Sequence, residues 1–475
     1  YIIDATAAPI CMIAPISSWA AAVSQYAEDG KGLDLFISAI PFNFYSLLTF
    51  VFIIGLAILG FDYCSMRTHE FNAINNGDLY TTGDRAESKE VEPSAKGRII
   101  DLIFPIAVLI VVCVFALVYN GGILDGEDFI TAFSNTDATV ALPWGGMITL
   151  VISLIYYAFR KTFAHADRAK IATPGAEVVE EELTPAQTKE RIICLCLVFA
   201  VVIFFWMAFH QNGITMNQFA REYTATSETG FMSLFLSKSF SFTDMRSIWN
   251  LVAVILLVYG VLNVFQSKTA KGKAIAAALI LGAGGLLVYR AMNVTGSVDV
   301  EAPIFQQFNP CFVVALTPIV MLVFNALAKR GKEPSSPMKI GLGMLVAGAA
   351  FVVLLVGSWN LPIQAEQLAN VKAGTATLVS PNWLISTYLV LTVAELLLSP
   401  IGISFVSKVA PPKYKGMMMG GWFVATAIGN FLISIPGLLW GKADLYVVWG
   451  VLIAICLVSA LFIFSILKRL EAVAK

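Results

Sequence analysis

The chain has 475 residues, of which 58% are hydrophobic and only 13% are charged, and its mean hydropathy is +0.77. A soluble protein carries about twice that charged fraction, so most of the surface must face lipid and the bilayer is the first partner to expect. The formal net charge of −1 gives no reason to expect a nucleic-acid partner.

Eleven segments reach the roughly 20 apolar residues that a transmembrane helix needs. The sequence therefore predicts an all-α polytopic membrane protein with 11–12 transmembrane helices. The twelfth would be residues 8–27, which are apolar but interrupted by prolines and could instead form a re-entrant hairpin. The predicted spans are 35–61, 98–120, 142–159, 190–216, 248–265, 272–290, 307–327, 338–357, 383–405, 415–440 and 444–467.

Lysine and arginine concentrate in alternate loops. Six loops together with the adjoining helix ends hold 24 of the 31 basic residues, and the other seven are Lys31, Arg221, Lys238, Arg246, Arg290, Lys372 and Lys442. Positive charge marks the cytoplasmic side, so we predict a bacterial inner (plasma) membrane protein whose carboxy terminus is cytoplasmic. The six cytoplasmic loops would be 62–97, 160–189, 266–271, 328–339, 406–415 and 468–475.

The polar stretch over residues 160–190 predicts the main boundary of the chain. We expect a first membrane part over 1–158, a cytoplasmic linker over 159–190 and a second helical bundle over 191–475. The sequence contains no P-loop, no G-x-S-x-G and no H-E-x-x-H. We therefore predict that the protein is not an enzyme, has no metal site and needs no cofactor.

One predicted helix, 383–405, carries its polar residues on a single face. The residues of this face follow each other at intervals of four and three, and they are Tyr388, Thr392, Glu395, Ser399 and Gly402. Glu395 lies in mid-helix beside three leucines, where desolvation favours the protonated carboxyl. It could therefore exchange a proton or pair with a substrate ammonium group; the alternative is a structural ion pair.

Two further helices carry polar groups in register. Gln211, Thr215, Gln218 and Glu222 continue the helix that begins near 190, and His210 beside them either titrates near neutral pH or is a hydrogen-bonded structural residue. Trp422, Thr426 and Asn430 recur every four residues in 415–440. Trp422 either walls an apolar pocket or only packs.

These segments resemble the proton-dependent oligopeptide transporter (POT) family. The run from Glu395-Leu-Leu-Leu-Ser-Pro through Gly421-Trp422-Phe423 to Asn430 is similar to that family's tenth and eleventh helices. Phe305-Gln-Gln-Phe-Asn309-Pro310 is similar to its eighth-helix entry, and Phe204-Phe-Trp with Phe209-His210-Gln211 is similar to its seventh helix. The resemblance covers nearly all of 160–475.

The resemblance implies half of a major-facilitator fold and proton-driven uptake of di- and tripeptides. Glu395 and Asn309 would bind the peptide amino terminus, Trp422 would line a side-chain pocket, and Ser399 would lie in the same site. The acidic residue of the family's seventh helix falls at His210, which keeps a titratable group but reverses the sign of its charge. His210 and Glu395 would couple protons. The family's first-helix E-x-x-E-R-F signature is absent, and residues 248–292 would be an inserted helical hairpin.

The first part resembles a different family. Asp4-Ala-Thr, Ala14-Pro-Ile-Ser-Ser-Trp and Phe133-Ser-Asn-Thr-Asp137-Ala are similar to an internal fragment of the NhaC-type sodium/proton antiporters. Asp137 and Asp4 lie with hydroxyl groups beside interrupted apolar segments, which suits cation coordination by oxygen. The alternative for Asp137 is a plain cap or loop residue.

The chain thus resembles two partial transporters joined near 145–165. The leading hypothesis is a proton-coupled peptide symporter, whose partners are protons and small peptides. One alternative is sodium/proton antiport by the first part, which adds sodium as a partner. Another is a non-functional hybrid of two partial transporters.

Overall fold

The computed structural model describes residues 9–10, 12–13, 32–60, 64–77, 99–136, 138–160, 183–225, 227–228, 245–267, 269–292, 298–299 and 302–474. The chain divides into two compact units, residues 1–178 and 179–475. The predicted all-α membrane fold is confirmed. Among the described residues, nine helices are long and apolar enough to cross a membrane, or ten if one bent pair is a single span. One pair of two-residue antiparallel strands, β1 (Ser227–Glu228) and β2 (Val298–Asp299), was not predicted.

The first unit contains six described helices. They are α1 (Gly32–Ala39), α2 (Phe44–Leu59), α3 (Cys64–Asn76), α4 (Ile99–Asn120), α5 (Phe129–Ser134) and α6 (Ala138–Arg160).

The predicted span 35–61 consists of two helical segments with a bend between them. The apolar run bends by 53° between Phe42 and Phe44. Pro41 lies in a short 3₁₀ turn, and the side chain of Asn43 accepts a hydrogen bond from the Ser46 backbone N–H at 3.2 Å. Asn43 therefore ends one segment and caps the next, which a hydropathy pattern does not reveal.

Helices α4 and α6 pack against each other in the first unit. Near one end of the pair, Arg160 donates two hydrogen bonds to the two carboxylate oxygens of Asp101, at 2.9 and 3.0 Å, and the Tyr156 hydroxyl donates a third at 2.7 Å. Bidentate arginine–carboxylate pairs of this kind fix the relative orientation of the two side chains better than a single hydrogen bond does. The pair therefore stabilises the register between α4 and α6.

The second unit contains twelve described helices. Its helices are α7 (Pro185–Phe209), α8 (Thr215–Glu222), α9 (Met245–Gln266), α10 (Ala270–Met292), α11 (Phe308–Lys329), α12 (Ser336–Gly357), α13 (Gln364–Ala373), α14 (Asn382–Val409), α15 (Lys415–Leu432), α16 (Ser434–Gly437), α17 (Leu445–Ser465) and α18 (Leu467–Ala474). A 3₁₀ turn, His210–Gly213, joins α7 to α8, so these two form one span.

Helix α12 lies at the centre of the second unit because its small residues let two neighbours approach. A Cβ on Gly343 would come within 3.1 Å of the Ala394 carbonyl oxygen in α14, and a Cβ on Gly348 would come within 3.3 Å of the Cys456 Cβ in α17. Close backbone approach at glycine is a common way to pack membrane helices. Because Ala394 precedes Glu395, this contact also fixes the position of Glu395 relative to α12.

Helices α9 and α10 pack on each other as a hairpin. Their buried side chains Ala253, Ala283 and Leu287 form a small apolar cluster that is separate from the main core of the second unit.

The last helix, α18, closes one end of the bundle. Leu470 is fully buried there, Arg469 donates to Glu190 of α7 at 2.9 Å, and Ser335 donates to Glu471 at 2.5 Å. The starts of α7 and α12 are therefore both tied to α18.

The contact between α7 and α15 yields a stability prediction. A Cβ on Gly429 would come within 2.5 Å of the Ile203 carbonyl oxygen and 2.9 Å of the Trp206 Cβ. We expect Gly429→Ala to lower the free energy of unfolding by about 1–3 kcal/mol, since overpacking forces the two helices apart. The measurement is thermal unfolding of the detergent-purified protein.

Gly420 provides the matched control on the same helix, because a Cβ there meets nothing within 4 Å. We expect Gly420→Ala to leave stability unchanged or to raise it by about 0.5–1 kcal/mol through its higher helix propensity. Equal melting temperatures for the two variants would contradict the close approach of α7 and α15.

Candidate functional site

The candidate site is built around one hydrogen bond between α11 and α14. Asn309 lies in the first turn of α11, and its Nδ2 donates to Oε2 of Glu395 at 2.9 Å. Glu395 lies close to the midpoint of α14 and is half-buried. Two residues assigned to one site from their resemblance to the POT family are therefore in direct contact.

Thr392 is a third member of this cluster. It is fully buried one turn before Glu395, and its Oγ1 accepts a second hydrogen bond from Asn309 Nδ2, at 3.2 Å. The Thr392 hydroxyl itself donates to the Tyr388 carbonyl oxygen at 2.8 Å. Sequence periodicity put Thr392 on the face of Glu395 but assigned it no role.

Trp422 belongs to α15 and packs against the same face of α14, and it is 1% exposed. Its indole covers Gly402 of α14, where any Cβ would collide with the ring. The described contacts of Trp422 are therefore packing contacts between α14 and α15, and its assignment to a substrate pocket stays a prediction. Ser399, which lies between Glu395 and Gly402 on α14, is half-buried, and no hydrogen bond links it to Asn309 or Glu395.

His210 belongs to a second cluster, formed by α7 and α15. Its Nδ1 lies 2.6 Å from Oδ1 of Asn430, so this nitrogen carries a proton that it donates to the amide oxygen. The imidazole stacks on the Trp206 ring with centroids 4.9 Å apart and an interplanar angle of 19°. The described hydrogen bonds do not join this cluster to Asn309 or Glu395.

A third polar cluster, around Glu222 at the end of α8, was missed. Gln364 of α13 donates to one carboxylate oxygen of Glu222 at 2.7 Å, and the Trp440 indole donates to the other at 3.1 Å. Gln367, which is fully buried, donates to the Glu222 backbone carbonyl at 2.9 Å. Glu222 thus ties α8 to α13 and to the segment between α16 and α17. Its place in the 4–3–4 spacing of Gln211, Thr215 and Gln218 was the one sequence signal for it.

The predicted cation ligands of the first part, Asp137 and Asp4, lie outside the described residues. Earlier in the sequence than Asp137, Asp128 caps α5 by accepting hydrogen bonds from two backbone N–H groups and from the Thr131 hydroxyl. These bonds hold the pKa of Asp128 below its ordinary range, with the Thr131 hydroxyl as the largest cause. Helix α5 ends at Ser134 and α6 begins at Ala138, and the described residues between them, Asn135 and Thr136, are not helical.

Comparison with protein families separates the two parts of the chain. Residues 284–438 match the POT family, and residues 8–173 match the Na+/H+ antiporter family. The POT match contains Asn309, Glu395, Ser399, Trp422 and Asn430; His210 lies outside it.

Curated relatives of the chain include peptide transporters. The chain is 37% identical over 133 residues to the peptide transporter YePEPT of Yersinia enterocolitica, covering 28% of this chain and 24% of that protein. It is 34% identical over 121 residues to the di-/tripeptide transporter of Lactococcus lactis, covering 26% and 22%. It is also 30% identical over 177 residues to the transporter YclF of Bacillus subtilis, covering 37% and 33%. The matched region thus spans only about a quarter to a third of each relative.

Among solved structures, the chain is similar to a peptide transporter POT in complex with sulfate, with a TM-score of 0.45 and 17% identity over 98% of this chain and 79% of that one. It is also similar to a POT family transporter in complex with 5-aminolevulinic acid, with a TM-score of 0.43 and 16% identity over 99% and 82%. The predicted resemblance of the two parts to two transporter families is confirmed, since residues 284–438 match the POT family and residues 8–173 match the Na+/H+ antiporter family.

Proposed function

We propose that residues 191–475 form half of the path of a proton-coupled symporter for di- and tripeptides in a bacterial inner membrane, with the carboxy terminus in the cytoplasm. The observation that carries the proposal is the hydrogen bond from Asn309 to Glu395 at 2.9 Å, which joins two membrane-spanning helices within the POT family segment. The similarity of the chain to a peptide transporter and to a di-/tripeptide transporter supports the substrate class.

The chemistry of this pair suits a peptide amino terminus. A carboxylate in an apolar surrounding needs either a proton or a cation, because hydrocarbon cannot solvate its charge. A peptide ammonium group can replace the proton on Glu395, so that proton binding and substrate binding are linked at the same carboxylate. Asn309 would add an amide oxygen as a further acceptor for the ammonium group.

His210 would be a second proton-binding group. A free imidazole titrates at about pH 6.5, so modest changes in its surroundings between two transporter states can load or release a proton. The Nδ1 bond to Asn430 leaves Nε2 as the nitrogen that binds this proton. The proposal assigns substrate binding and proton binding to Glu395, and proton binding alone to His210.

The first test is pH-gradient-driven dialanine uptake into proteoliposomes that contain the purified full chain. Glu395→Gln keeps the shape of the side chain but removes the charge and the exchangeable proton. We expect uptake to fall by about tenfold or more, which is the effect of losing a hydrogen bond to a charged group.

Glu366→Gln is the matched control, because Glu366 is exposed on α13. It should transport at the wild-type rate. Wild-type uptake with undiminished uptake by Glu395→Gln would contradict the proposed role of Glu395.

A second test separates coupling from binding at His210. His210→Gln can still donate a hydrogen bond to Asn430 but does not titrate near neutral pH. We expect uphill uptake driven by a pH gradient to be lost, whereas exchange of labelled for unlabelled dialanine without a gradient continues at about the wild-type rate. His69→Gln in α3 is the control, because it makes the same substitution outside the His210 cluster. If His210→Gln still accumulates dialanine against its gradient, His210 has no part in coupling.

Sodium/proton antiport by the first part is the alternative function. It is supported by the family match at 8–173 and by the interruption between α5 and α6, since broken helices bind ions in several transporter folds. We expect sodium-dependent proton exchange, followed with a pH-sensitive dye in the same proteoliposomes, to be abolished by Asp137→Asn. Exchange that persists in this variant would exclude Asp137 as a ligand. If the wild-type chain carries neither dialanine nor sodium, the hybrid is non-functional.

A further inference from the structure

The amide group of Asn309 has a defined orientation. Its Nδ2 donates one hydrogen bond to Glu395 and one to Thr392, which uses both of its protons. Asn309 Oδ1 and Glu395 Oε1 accept no hydrogen bond from the described residues, and neither oxygen is fully buried. Two acceptor oxygens are therefore available at the same place.

Glu395 alone does not hold this orientation. When the carboxyl is ionised it can only accept, and it selects the amide nitrogen. When it is protonated it can donate, so the reverse orientation, with Asn309 Oδ1 toward Glu395, becomes equally satisfied. The reverse orientation would turn the amide nitrogen, a donor, toward an incoming ammonium group, which is also a donor.

Thr392 behaves differently because its proton is already in use. The hydroxyl donates to the Tyr388 carbonyl oxygen at 2.8 Å, inside α14, where that carbonyl is held by the helix. Toward Asn309 the Thr392 oxygen can then only accept. It selects the amide nitrogen whether or not Glu395 carries a proton.

We propose that Thr392 is a positioning residue that fixes the Asn309 amide with its oxygen toward the substrate, and thereby sets the preference of the site for a free peptide amino group. This inference rests on the proposed function, because it requires that Asn309 and Glu395 bind the peptide amino terminus. Thr392 itself touches no substrate. Its effect is on the discrimination between a charged amine and an acylated one.

The test compares the binding of dialanine with that of N-acetyl-dialanine by isothermal titration calorimetry on the detergent-purified full chain. Thr392→Val keeps the volume of the side chain and removes the acceptor, while Thr392→Ser keeps the acceptor. Thr387→Val is the matched control, since the buried Thr387 hydroxyl makes the same kind of bond, to the Trp383 carbonyl at 2.8 Å on the same helix.

We expect the dissociation constant of N-acetyl-dialanine divided by that of dialanine to fall by about threefold to tenfold in Thr392→Val. This change corresponds to the loss of one hydrogen bond. Thr392→Ser and Thr387→Val should keep the wild-type ratio. If Thr392→Val does not yield monodisperse protein, Thr392→Ala, which also lacks the acceptor, takes its place in the comparison.

Three results would overturn the inference. Equal loss of affinity for both ligands in Thr392→Val would mean that Thr392 acts on the structure alone. Unchanged affinity for both ligands would mean that Thr392 does not orient Asn309. A Thr392→Ser variant that behaves as Thr392→Val would exclude the acceptor as the cause. Failure of the proposed function is visible separately, because then the wild-type protein itself does not bind dialanine, and the inference falls with it.

Discussion

Hydrocarbon offers no partner to a polar side chain, and this constraint organises the second unit. A polar group inside the apolar spans has to form its hydrogen bonds with other groups of the protein, since an unsatisfied donor or acceptor is destabilising there. Asn309 meets Glu395, His210 meets Asn430, and Gln211 donates to the Met207 and Ile433 carbonyls. Most of these bonds connect two elements of the bundle, so satisfying the polar groups also fixes how the helices are arranged.

Small residues make those bonds possible by bringing backbones together. Gly343 lets α12 approach the Ala394 carbonyl, which is adjacent to Glu395, and Gly429 lets α15 approach α7 one residue before Asn430. The glycine contacts and the polar contacts therefore lie next to each other in sequence. A side chain added at either glycine would displace the helix that carries the neighbouring polar group, so the packing and the site cannot vary independently.

The sequence predicted the helices and their polar faces well, because both depend on short-range spacing. The polar residues at 388, 392, 395, 399 and 402 do share a helix whose midpoint is Glu395. Hydropathy did not reveal the 53° bend at Asn43, because a cap stabilises it and the apolar run continues on both sides. Periodicity also identifies a face without identifying what covers that face. Gly402 was predicted to lie on the site face, and the residue that covers it, Trp422, comes from another helix.

Partners that are distant in the chain explain the rest of what was missed. The role of Thr392 depends on Asn309, which lies 83 residues earlier, and the Glu222 cluster depends on Gln364 and Trp440, which lie 142 and 218 residues later. Resemblance to a family supplied the pairing of Asn309 with Glu395, because the family's motifs carry that information. Nothing equivalent indicated Glu222, whose two carboxylate oxygens accept from neutral donors, or Asn430 as the partner of His210.

The bond between His210 and Asn430 bears on the position of the acidic seventh-helix residue of the POT family, which in this chain is a histidine. Asn430 Oδ1 accepts from Nδ1–H, and both the neutral ring and the imidazolium present a proton at that nitrogen. Protonation at Nε2 therefore leaves this bond in place, and the stacked Trp206 ring offers its negative face to the cation that forms. An acidic side chain would instead lose an acceptor when it takes up a proton. If His210 takes up a proton as proposed, the charge of this helix pair changes while the bond to Asn430 stays in place.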